Sequence, residues 1–317
     1  MSRVALLHSP LATERSTAGI YAALAAAGHE PVSVAAGPNL IGRLCEIRPD
    51  VVFNNAPGLA TKSEQPNIVG MLEMAGYPFT GSGLATQVIC QHKGLAKRLL
   101  QQAGVATAGF AVLGDRADLA RLFDRPELPF TYPALLKPEA EGSSRGISAA
   151  SVVADRAALA QQAERIWSEF GGAVLVESFL PGREFTVGVL GDPPAALPPV
   201  EIVFAGQGFY THQVKEADAA KTLCPAPATP ELTEAVQRLA VAAFRAVDAR
   251  DYARIDIRLD AAGQPVVIEI NAQPGMTPDY SDFPKAAAAG GVPFPQLVAR
   301  LVELALRRRR EQLRQQP

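Results

Sequence analysis

Two strand-like segments near the C-terminal end constrain the fold most: "YARIDIRLD" and "QPVVIEIN", separated by the turn sequence "DAAGQ". Alternating apolar residues around a Gly-containing turn predict an antiparallel hairpin. Successive side chains of a strand point to opposite faces, so Glu269 and Asn271 share one face. Ile268 and Ile270 are expected to fill the other. The second strand therefore presents a carboxylate beside an amide.

The first strand of this hairpin carries matching polar residues. Arg254 and Asp256 share one face, and pairing through the turn can bring Asp256, Glu269 and Asn271 together. Two carboxylates and an amide oxygen suit Mg²⁺, which binds few protein ligands and completes its shell with water and phosphate oxygens. The alternative interpretation is a solvent-facing strand side with incidental charges.

A candidate phosphate site lies in "LLKPEAEGSSRGI". Lys137 ends a predicted strand, and a Gly/Ser loop follows at 141–146. Such a loop offers backbone N–H groups and hydroxyls to phosphate oxygens, and the lysine adds a point charge. The order of a Walker A loop is absent. Lys97, on the predicted helix at 93–103, is either a second phosphate contact or a solvated lysine.

Two glutamates in "VLVESFLPGREFTVGVLG" are candidates for nucleotide binding. Glu177 and Glu184 are flanked by apolar residues. A carboxylate at the end of a buried strand can accept hydrogen bonds from a ribose, and the adjacent backbone can bind the edge of an adenine. The alternative is a pair of salt-bridged surface glutamates.

The order of predicted elements divides the 317 residues into three domains. Strands and helices alternate to about residue 92, which predicts a parallel α/β domain at 1–92. A mixed pattern, including a strand at "GISAASVV", predicts a small α+β domain at 93–183. Longer strands and further helices predict an α+β domain at 184–317. The predicted class is α/β (α+β).

Composition limits the expected partners and compartment. A formal charge of -2 gives no electrostatic reason to expect nucleic acid. No apolar run approaches the roughly 18 residues that a membrane-spanning helix needs. Three separated cysteines form no metal-type pair, and the odd number argues against a disulfide scaffold. We therefore expect a cytoplasmic protein that acts on small molecules, without nucleic acid or membrane.

The chain resembles the ATP-grasp ligases, and within them the D-alanine–D-alanine ligases. The likeness is strongest in "YPALLKPEAEGSSRGIS", "VLVESFLPGREFTVGVLG", "YARIDIRLD" and "VIEINAQPGMT", and it extends into "GMLEMAGYPFTGSG" and "HKGLAKRLLQQAGV". It covers nearly the full length. The resemblance implies a three-domain ATP-grasp architecture. It also implies ATP-dependent joining of a carboxylate to an amine through an acyl phosphate.

The resemblance implies roles for individual residues. The cofactors would be ATP and Mg²⁺, with two ions and with Mn²⁺ able to substitute, and the metal ligands would be Asp256, Glu269 and Asn271. The positions that match nucleotide-binding residues are Lys97, Lys137, Glu141, Ser143, Ser144, Glu177, Glu184 and Lys215. The positions that match catalytic residues are Arg254 and Gly275, at the tetrahedral oxyanion, together with Ser143 and Glu14.

The amino-acid pockets depart from the family pattern. Glu14 aligns with the glutamate that binds the donor ammonium, but the glycines around it are gone. Glu64 alone is retained from the usual Gly-Glu-Asp-Gly segment. Ser281 is the candidate for binding the acceptor carboxylate, within a segment one residue longer than in the family. An added acid there, Asp279 or Asp282, would repel a carboxylate and favour an ammonium.

Three functions follow as candidates. The first is D-alanine–D-alanine ligation, as in peptidoglycan synthesis. The second is the same reaction with other amino acids or amines, in specialised metabolism. The third is nucleotide binding without turnover, which the retained chemistry at every matched catalytic position argues against. Family members are often dimers built through the N-terminal domain, so a homodimer is also expected.

Overall fold

The computed structural model describes residues 1–142, 145–204 and 220–315, which form three sheets with helices packed around them. The helices are α1 (Glu14–Ala26), α2 (Leu40–Ile47), α3 (Gln65–Met74), α4 (Leu84–Gln91), α5 (Lys93–Gln102), α6 (Arg116–Phe123), α7 (Arg156–Phe170), α8 (Pro230–Ala246), α9 (Asp282–Ala289) and α10 (Phe294–Gln315). Within these ranges, none of the helices combines the length and apolar character that crossing a membrane requires.

The strands follow the same order along the chain. They are β1 (Arg3–His8), β2 (Glu30–Ala35), β3 (Val51–Asn55), β4 (Phe110–Leu113), β5 (Ala134–Pro138), β6 (Val152–Val153), β7 (Val174–Ser178), β8 (Glu184–Leu190), β9 (Ala195–Ala196), β10 (Val200–Phe204), β11 (Ala220–Leu223), β12 (Tyr252–Leu259) and β13 (Pro265–Asn271). The predicted combination of a parallel sheet with antiparallel sheets is confirmed.

The first sheet has the order β2-β1-β3, with all strands parallel. Helix α1 begins at Glu14 because the Thr13 side chain accepts a hydrogen bond from the Ser16 backbone N–H at 3.1 Å. Apolar side chains on both faces of this sheet are buried, as a parallel sheet requires. The carboxyl ends of β1 and β3 therefore open toward one edge, where Asn55 lies.

The second sheet has the order β4-β7-β5-β6 and is antiparallel. Helices α6 and α7 cover one face. The strand predicted at "GISAASVV" is only partly formed: β6 is two residues long, and a 3₁₀ turn at Ala149–Ser151 precedes it. The Ser151 hydroxyl accepts a hydrogen bond from the Ser148 N–H at 3.0 Å. This local bond competes with strand pairing and shortens the strand.

The third sheet has the order β11-β10-β8-β12-β13, with β9 paired to β8, and its pairs are antiparallel. Helix α8 packs its apolar side on one face of this sheet. The predicted hairpin between β12 and β13 is confirmed, with Arg254 opposite Asn271 and Asp256 opposite Glu269. The four polar side chains of the sequence analysis therefore lie in alternate pairs of the hairpin, on either side of the Ile255–Ile270 pair.

A β-bulge in this hairpin corrects the expectation for Ile268. Opposite the consecutive residues Asp256 and Ile257, β13 has Glu269 and Val267, so Ile268 is the extra residue. Val267 and Ile270 join the core under α8, whereas Ile268 packs with a separate small cluster. The prediction that Ile268 and Ile270 fill the same face is therefore wrong, because the bulge shifts the alternation by one residue.

Helix α10 and a buried aspartate join the first and third sheets. The apolar side of α10 shares one core with β1, β3 and the start of β12. Asp251 is 2% exposed and accepts a hydrogen bond from the Gly81 N–H at 2.7 Å, and its other oxygen is bonded by Arg308. Arg308 also donates to the Phe79 carbonyl at 2.7 Å. These contacts fix the N-terminal part of the chain against the third sheet.

Candidate active site

A cavity of about 720 Å³ lies where the ends of the three sheets meet. Its lining draws residues from β5, β7, β8, β12 and β13, from the loops that follow β1 and β3, and from the start of α9. The predicted site residues among that lining are Lys137, Glu141, Glu177, Glu184, Arg254, Asp256, Glu269, Asn271, Gly275 and Ser281. The fold therefore brings together residues that are up to 144 positions apart, 137 to 281.

Three buried charges form a cluster at one end of the cavity. Glu177 on β7 lies between Lys97 of α5, at 2.7 Å, and Lys137 of β5, at 2.6 Å. All three side chains are almost completely buried. Burial alone would favour the neutral acid, but Lys137 and Lys97 outweigh it and lower the pKa of Glu177 to about 2. The cluster keeps one net positive charge, which suits a phosphate.

The two predicted phosphate lysines occupy different positions in this cluster. Lys137 lines the cavity, whereas Lys97 lies behind Glu177 and donates to the Thr107 hydroxyl at 2.8 Å. Burial and the nearby Lys137 lower the pKa of Lys97, while Glu177 opposes that effect. In this arrangement Lys137 is the direct candidate for a phosphate contact, and Lys97 supports it through Glu177.

Glu184 is buried like Glu177 but has a weaker partner. It begins β8, lies opposite Arg258 of β12, and stands 3.7 Å from the Arg258 guanidinium. Burial, reinforced by Asp256, raises the pKa of Glu184 to about 7, although Arg258 works in the opposite direction. A carboxyl with this pKa can present either a donor or an acceptor to a nucleotide hydroxyl near neutral pH.

The polar face of the hairpin forms a second cluster around Asp256. The Arg254 guanidinium bonds both Asp256 oxygens, at 2.9 and 2.8 Å. The Thr186 hydroxyl donates to Oδ1 at 2.6 Å, and the Asn271 amide donates to Oδ2 at 2.9 Å. Four donors fill the acceptor positions of one carboxylate. In this arrangement a metal ion would reach Asp256 only after the Arg254 fork moved away.

Glu269 is the more available of the two candidate metal carboxylates. Its Oε1 lies 3.7 Å from the ammonium of Lys93, a buried lysine at the start of α5. The same ammonium donates to the Glu141 backbone carbonyl at 2.5 Å. Lys93 therefore links the stem of the Gly/Ser loop to Glu269. Oxygen ligands at Glu269 and Asn271, beside Asp256, fit Mg²⁺ by their chemistry.

Of the four residues predicted to contact the amino-acid substrates or the oxyanion, two line the cavity and two lie outside its lining. Gly275 and Ser281 line the cavity, and the Ser281 hydroxyl accepts a hydrogen bond from the Thr277 N–H at 3.1 Å. Glu14 is exposed at the first turn of α1 and is not among the lining residues. Glu64 is also outside the lining, where its carboxylate binds loop backbone. The roles predicted for these four residues stay predictions.

Three further predicted residues lie outside the described ranges. They are Ser143 and Ser144 of the Gly/Ser loop and Lys215. Glu141, which precedes the two serines, forms an ion pair with Arg145 at 2.8 Å. The predicted nucleotide contacts of all four residues stay predictions.

Sequence reasoning missed several residues of the cavity. Lys93 stands four positions before Lys97, a spacing that places both on one side of a helix, so a signal was present. Gln65 and Gln273 carried no signal, yet the Gln65 amide donates to Gln273 at 2.9 Å and joins the first and third sheets. Lys62, in a polar loop, was also missed and lines the cavity.

Known proteins resemble this chain over most of its length. The family model described as "D-ala D-ala ligase C-terminus" matches residues 99–303. The D-alanine–D-alanine ligase of Nitratidesulfovibrio vulgaris is 37% identical over 292 residues, covering 91% of each chain. That of Gloeobacter violaceus is 34% identical over 295 residues, covering 90% of this chain and 92% of the relative.

Solved structures show the same fold. The crystal structure of D-alanine–D-alanine ligase from Bacillus anthracis complexed with ATP has a TM-score of 0.77 at 25% identity, covering 98% of this chain and 100% of the other. The ligase from Coxiella burnetii has a TM-score of 0.76 at 23% identity, covering 98% and 96%. Both alignments extend across all three sheets.

Proposed function

Because the chain belongs to the D-alanine–D-alanine ligase family and has its ATP-grasp fold, we propose that it joins a carboxylate to an amine at the expense of ATP. D-Alanine is the first candidate for both substrates, since the relatives carry that name. One observation carries the proposal: a single cavity is lined by Lys137 and Glu177 of the buried charge cluster and by Arg254 and Asp256 of the hairpin cluster.

The nucleotide would bind at the buried charge cluster. Lys137 would contact phosphate oxygens, with Lys97 holding Glu177 in place behind it. Glu184, at the start of β8 in the third sheet, would accept or donate a hydrogen bond at the ribose. Ser143, Ser144 and Lys215 would add contacts to the phosphates. Because the lysines are held by buried partners, their charge is already in position when the nucleotide arrives.

Magnesium would be held by Glu269 and Asn271, with Asp256 as a third ligand. We propose two ions, and Mn²⁺ as a substitute for them. When bound, the ions neutralise the charge of the triphosphate and align it. Arg254, released from Asp256, would then face the reacting carboxyl group. The chain's own acidic residues thus control both the metal site and the position of the catalytic arginine.

The reaction would proceed in two steps within the cavity. An oxygen of the donor carboxylate attacks the γ-phosphorus and ADP leaves, which gives an acyl phosphate. The acceptor amine then attacks the acyl carbon, phosphate leaves with the bonding electrons, and the nitrogen gives up a proton to the departing phosphate. Arg254 and the Gly275 N–H would stabilise the tetrahedral oxyanion of the second step. Exclusion of water matters here, since an acyl phosphate hydrolyses.

A second candidate keeps this reaction and changes the substrates. Among the described lining residues within 1–92, none is acidic, and Glu14 is exposed outside the cavity. A donor ammonium would find hydroxyl and amide groups there rather than a carboxylate. This observation favours other carboxylic acids as donors.

We also propose that the protein is a cytoplasmic homodimer, as expected from the family resemblance.

Phosphate release tests both candidates. Wild-type protein with ATP and Mg²⁺ is mixed with D-alanine, then with a panel of D- and L-amino acids, hydroxy acids and amines. Phosphate release with D-alanine alone supports D-alanyl-D-alanine formation. Release that requires another acid, or a pair of compounds, supports the second candidate. ATP binding without release from any member of the panel contradicts the ligase proposal.

A further inference from the structure

The N-terminal wall of the cavity carries a single charge. Among the described lining residues within 1–92, Lys62 is the only one with a charged side chain. The other lining residues of that wall are apolar or carry hydroxyl, thiol or amide groups. No role for Lys62 follows from the sequence motifs, because it lies in the polar loop "LATKSEQPN".

The loop that carries Lys62 is organised around one carboxylate. Lys62 begins a 3₁₀ turn that ends at Glu64. The Glu64 Oε2 atom accepts hydrogen bonds from the backbone N–H groups of Leu59 and Ala60, both at 2.7 Å, and of Thr61 at 3.3 Å. These bonds, those of Ala60 and Leu59 foremost, lower the pKa of Glu64. A charged Glu64 therefore fixes the backbone next to Lys62.

A glycine permits this loop conformation. Gly58 has φ +134°, a region that side-chain-bearing residues rarely adopt. A Cβ at this position would lie 1.8 Å from the Thr61 carbonyl oxygen. The loop thus combines a required glycine with a bound carboxylate, and it is built to hold one conformation.

Lys62 lies close to groups that take part in the proposed chemistry. A Cβ added at Gly142, in the Gly/Ser loop, would be 3.6 Å from Lys62 Cδ. Lys62 is exposed by its accessible surface, but partial desolvation inside the cavity, together with repulsion from Arg254, lowers its pKa, and the Glu269 carboxylate opposes this. Arg254 and Glu269 are the proposed catalytic arginine and metal ligand. Lys62 therefore lines the same cavity as Arg254 and Glu269, from the opposite wall.

We propose that Lys62 is a further catalytic residue, which binds the phosphoryl group during its transfer from ATP to the donor carboxylate. This role rests on the proposed ligase reaction. In that step a carboxylate oxygen forms a bond to the γ-phosphorus, the bond from this phosphorus to the bridging oxygen breaks, and ADP leaves with the electron pair. A cation held beside the phosphoryl oxygens offsets the repulsion between the two anions. Glu64 is the positioning residue for Lys62.

Kinetics of a charge-deleting variant test this role. Lys62→Met should lower kcat by on the order of 10²-fold, because it removes one positioned charge from the transition state. The KM for MgATP should stay within about 3-fold of wild type, since Lys137 with its buried partner Glu177 is the proposed ground-state contact of the nucleotide phosphates. Lys62→Arg keeps the charge and should restore most of kcat. Lys221→Met, at an exposed residue of β11 outside the lining, is the matched control.

A binding measurement tests Lys62 without the amino acids. Inorganic phosphate is titrated calorimetrically into protein that holds MgADP. Lys62→Met should weaken phosphate binding by about 10-fold, and Lys221→Met should leave it unchanged. Equal phosphate affinity in wild type and Lys62→Met, or no phosphate binding by wild type, overturns the proposal. If no amino acid supports turnover, the ligase function fails while this titration still decides the role of Lys62.

A double-mutant cycle tests the positioning role of Glu64. Glu64→Gln should lower kcat by about 10-fold alone and add little in the Lys62→Met background, because Glu64 acts only by positioning the Lys62 charge, which is absent from that background. Additive losses in the double variant would show that Glu64 acts on something other than Lys62. Unchanged kcat in both single variants would remove both residues from the catalytic step.

Discussion

The two walls of the cavity hold their polar groups in opposite ways. On the nucleotide wall, Glu177 joins Lys97 and Lys137 in a fully buried set of charges. On the N-terminal wall, neutral amides meet each other, as in the bond from Gln65 to Gln273. A buried charge is costly once a partner is lost, whereas an amide can exchange partners at small cost. The nucleotide wall is therefore constrained by stability as well as function, and the N-terminal wall is free to vary with the substrate.

The largest expected effect comes from the hairpin that faces both walls. Glu269→Gln removes a proposed metal ligand charge and should lower kcat by on the order of 10³-fold. The fold should be spared, because Glu269 is only partly buried and its nearest cation, Lys93, also binds the Glu141 carbonyl. Phosphate release at several Mg²⁺ concentrations and a thermal melt measure the two effects.

A matched control for this variant is Glu303→Gln on α10. Glu303 is exposed and outside the lining, so its loss should change neither turnover nor stability. Normal turnover in Glu269→Gln would remove the metal assignment from β13. The difference in charge between the two walls would then no longer explain how the site binds metal and catalyses the reaction.

The next effect tests the buried charge cluster itself. Lys137→Ala should weaken MgATP binding by about 10²-fold and lower the free energy of unfolding by about 3 kcal/mol, since Glu177 would keep only Lys97 as a partner. Calorimetric titration and urea unfolding measure these two quantities. Lys221→Ala serves as the control. Loss of binding without loss of stability would mean that the cluster is not the stabilising feature described above.

The sequence predicted the nucleotide wall because charge inside an apolar strand is conspicuous. Lys137, Glu177 and Glu184 stand among apolar neighbours, and each lines the cavity. The hairpin register followed from the turn and from the alternation of side chains. The fold class followed from the order of strands and helices. All of these predictions depended on patterns among residues that are close together in the sequence.

The N-terminal wall was harder to predict because its contacts are non-local and neutral. Gln65 and Gln273 are 208 positions apart, and nothing in either segment indicates the other. The bulge at Ile268 is not marked by a Gly or Pro at the bulge position or beside it. It arises from the pairing of β13 with β12, which the sequence of β13 alone does not specify. Glu64 keeps the residue type that the resemblance assigns to a substrate contact, yet its carboxylate binds loop backbone.

The two buried glutamates that line the nucleotide wall, Glu177 and Glu184, are expected to differ in the pH dependence of their contribution to stability. The pKa of Glu184 rises from 4.5 to about 7, so the folded protein binds more protons than the unfolded chain between these values. Its contribution to stability should therefore fall by about 2 kcal/mol as the pH rises from 5 to 8. The pKa of Glu177 is lowered from 4.5 to about 2, so its contribution is nearly complete above pH 5 and is lost progressively as the pH falls from 4.5 to about 2.

Urea unfolding at a series of pH values between 5 and 8 measures this difference. Glu184→Gln should lose the fall in stability that wild type shows over this range. An identical pH dependence in wild type and Glu184→Gln would show that Arg258 holds Glu184 charged, at their separation of 3.7 Å. The two glutamates would then titrate alike, and the nucleotide wall would be uniformly charged.

The smallest expected effect concerns Glu14, at the edge of the N-terminal wall. Its side chain is exposed on the first turn of α1, where it favours the helix by about 0.5 kcal/mol. Glu14→Gln should therefore leave the donor KM within about 3-fold of wild type. Ser16→Ala, at a buried residue that lines the cavity, should raise that KM more.

Glu14→Gln and Ser16→Ala together test whether the donor is bound by Glu14, as the family resemblance implies, or by the hydroxyl and amide groups that line the N-terminal wall. A donor site like that of the family requires the Glu14 carboxylate. If Glu14 binds the donor ammonium during turnover, Glu14→Gln should raise the donor KM by about 10²-fold and retain kcat at saturating donor. A larger effect in Ser16→Ala means that hydroxyl and amide groups select the donor. Steady-state phosphate release at varied donor concentration separates the two outcomes. Only a larger effect in Ser16→Ala agrees with the observed wall, where Lys62 is the one charged residue among the described lining residues within 1–92.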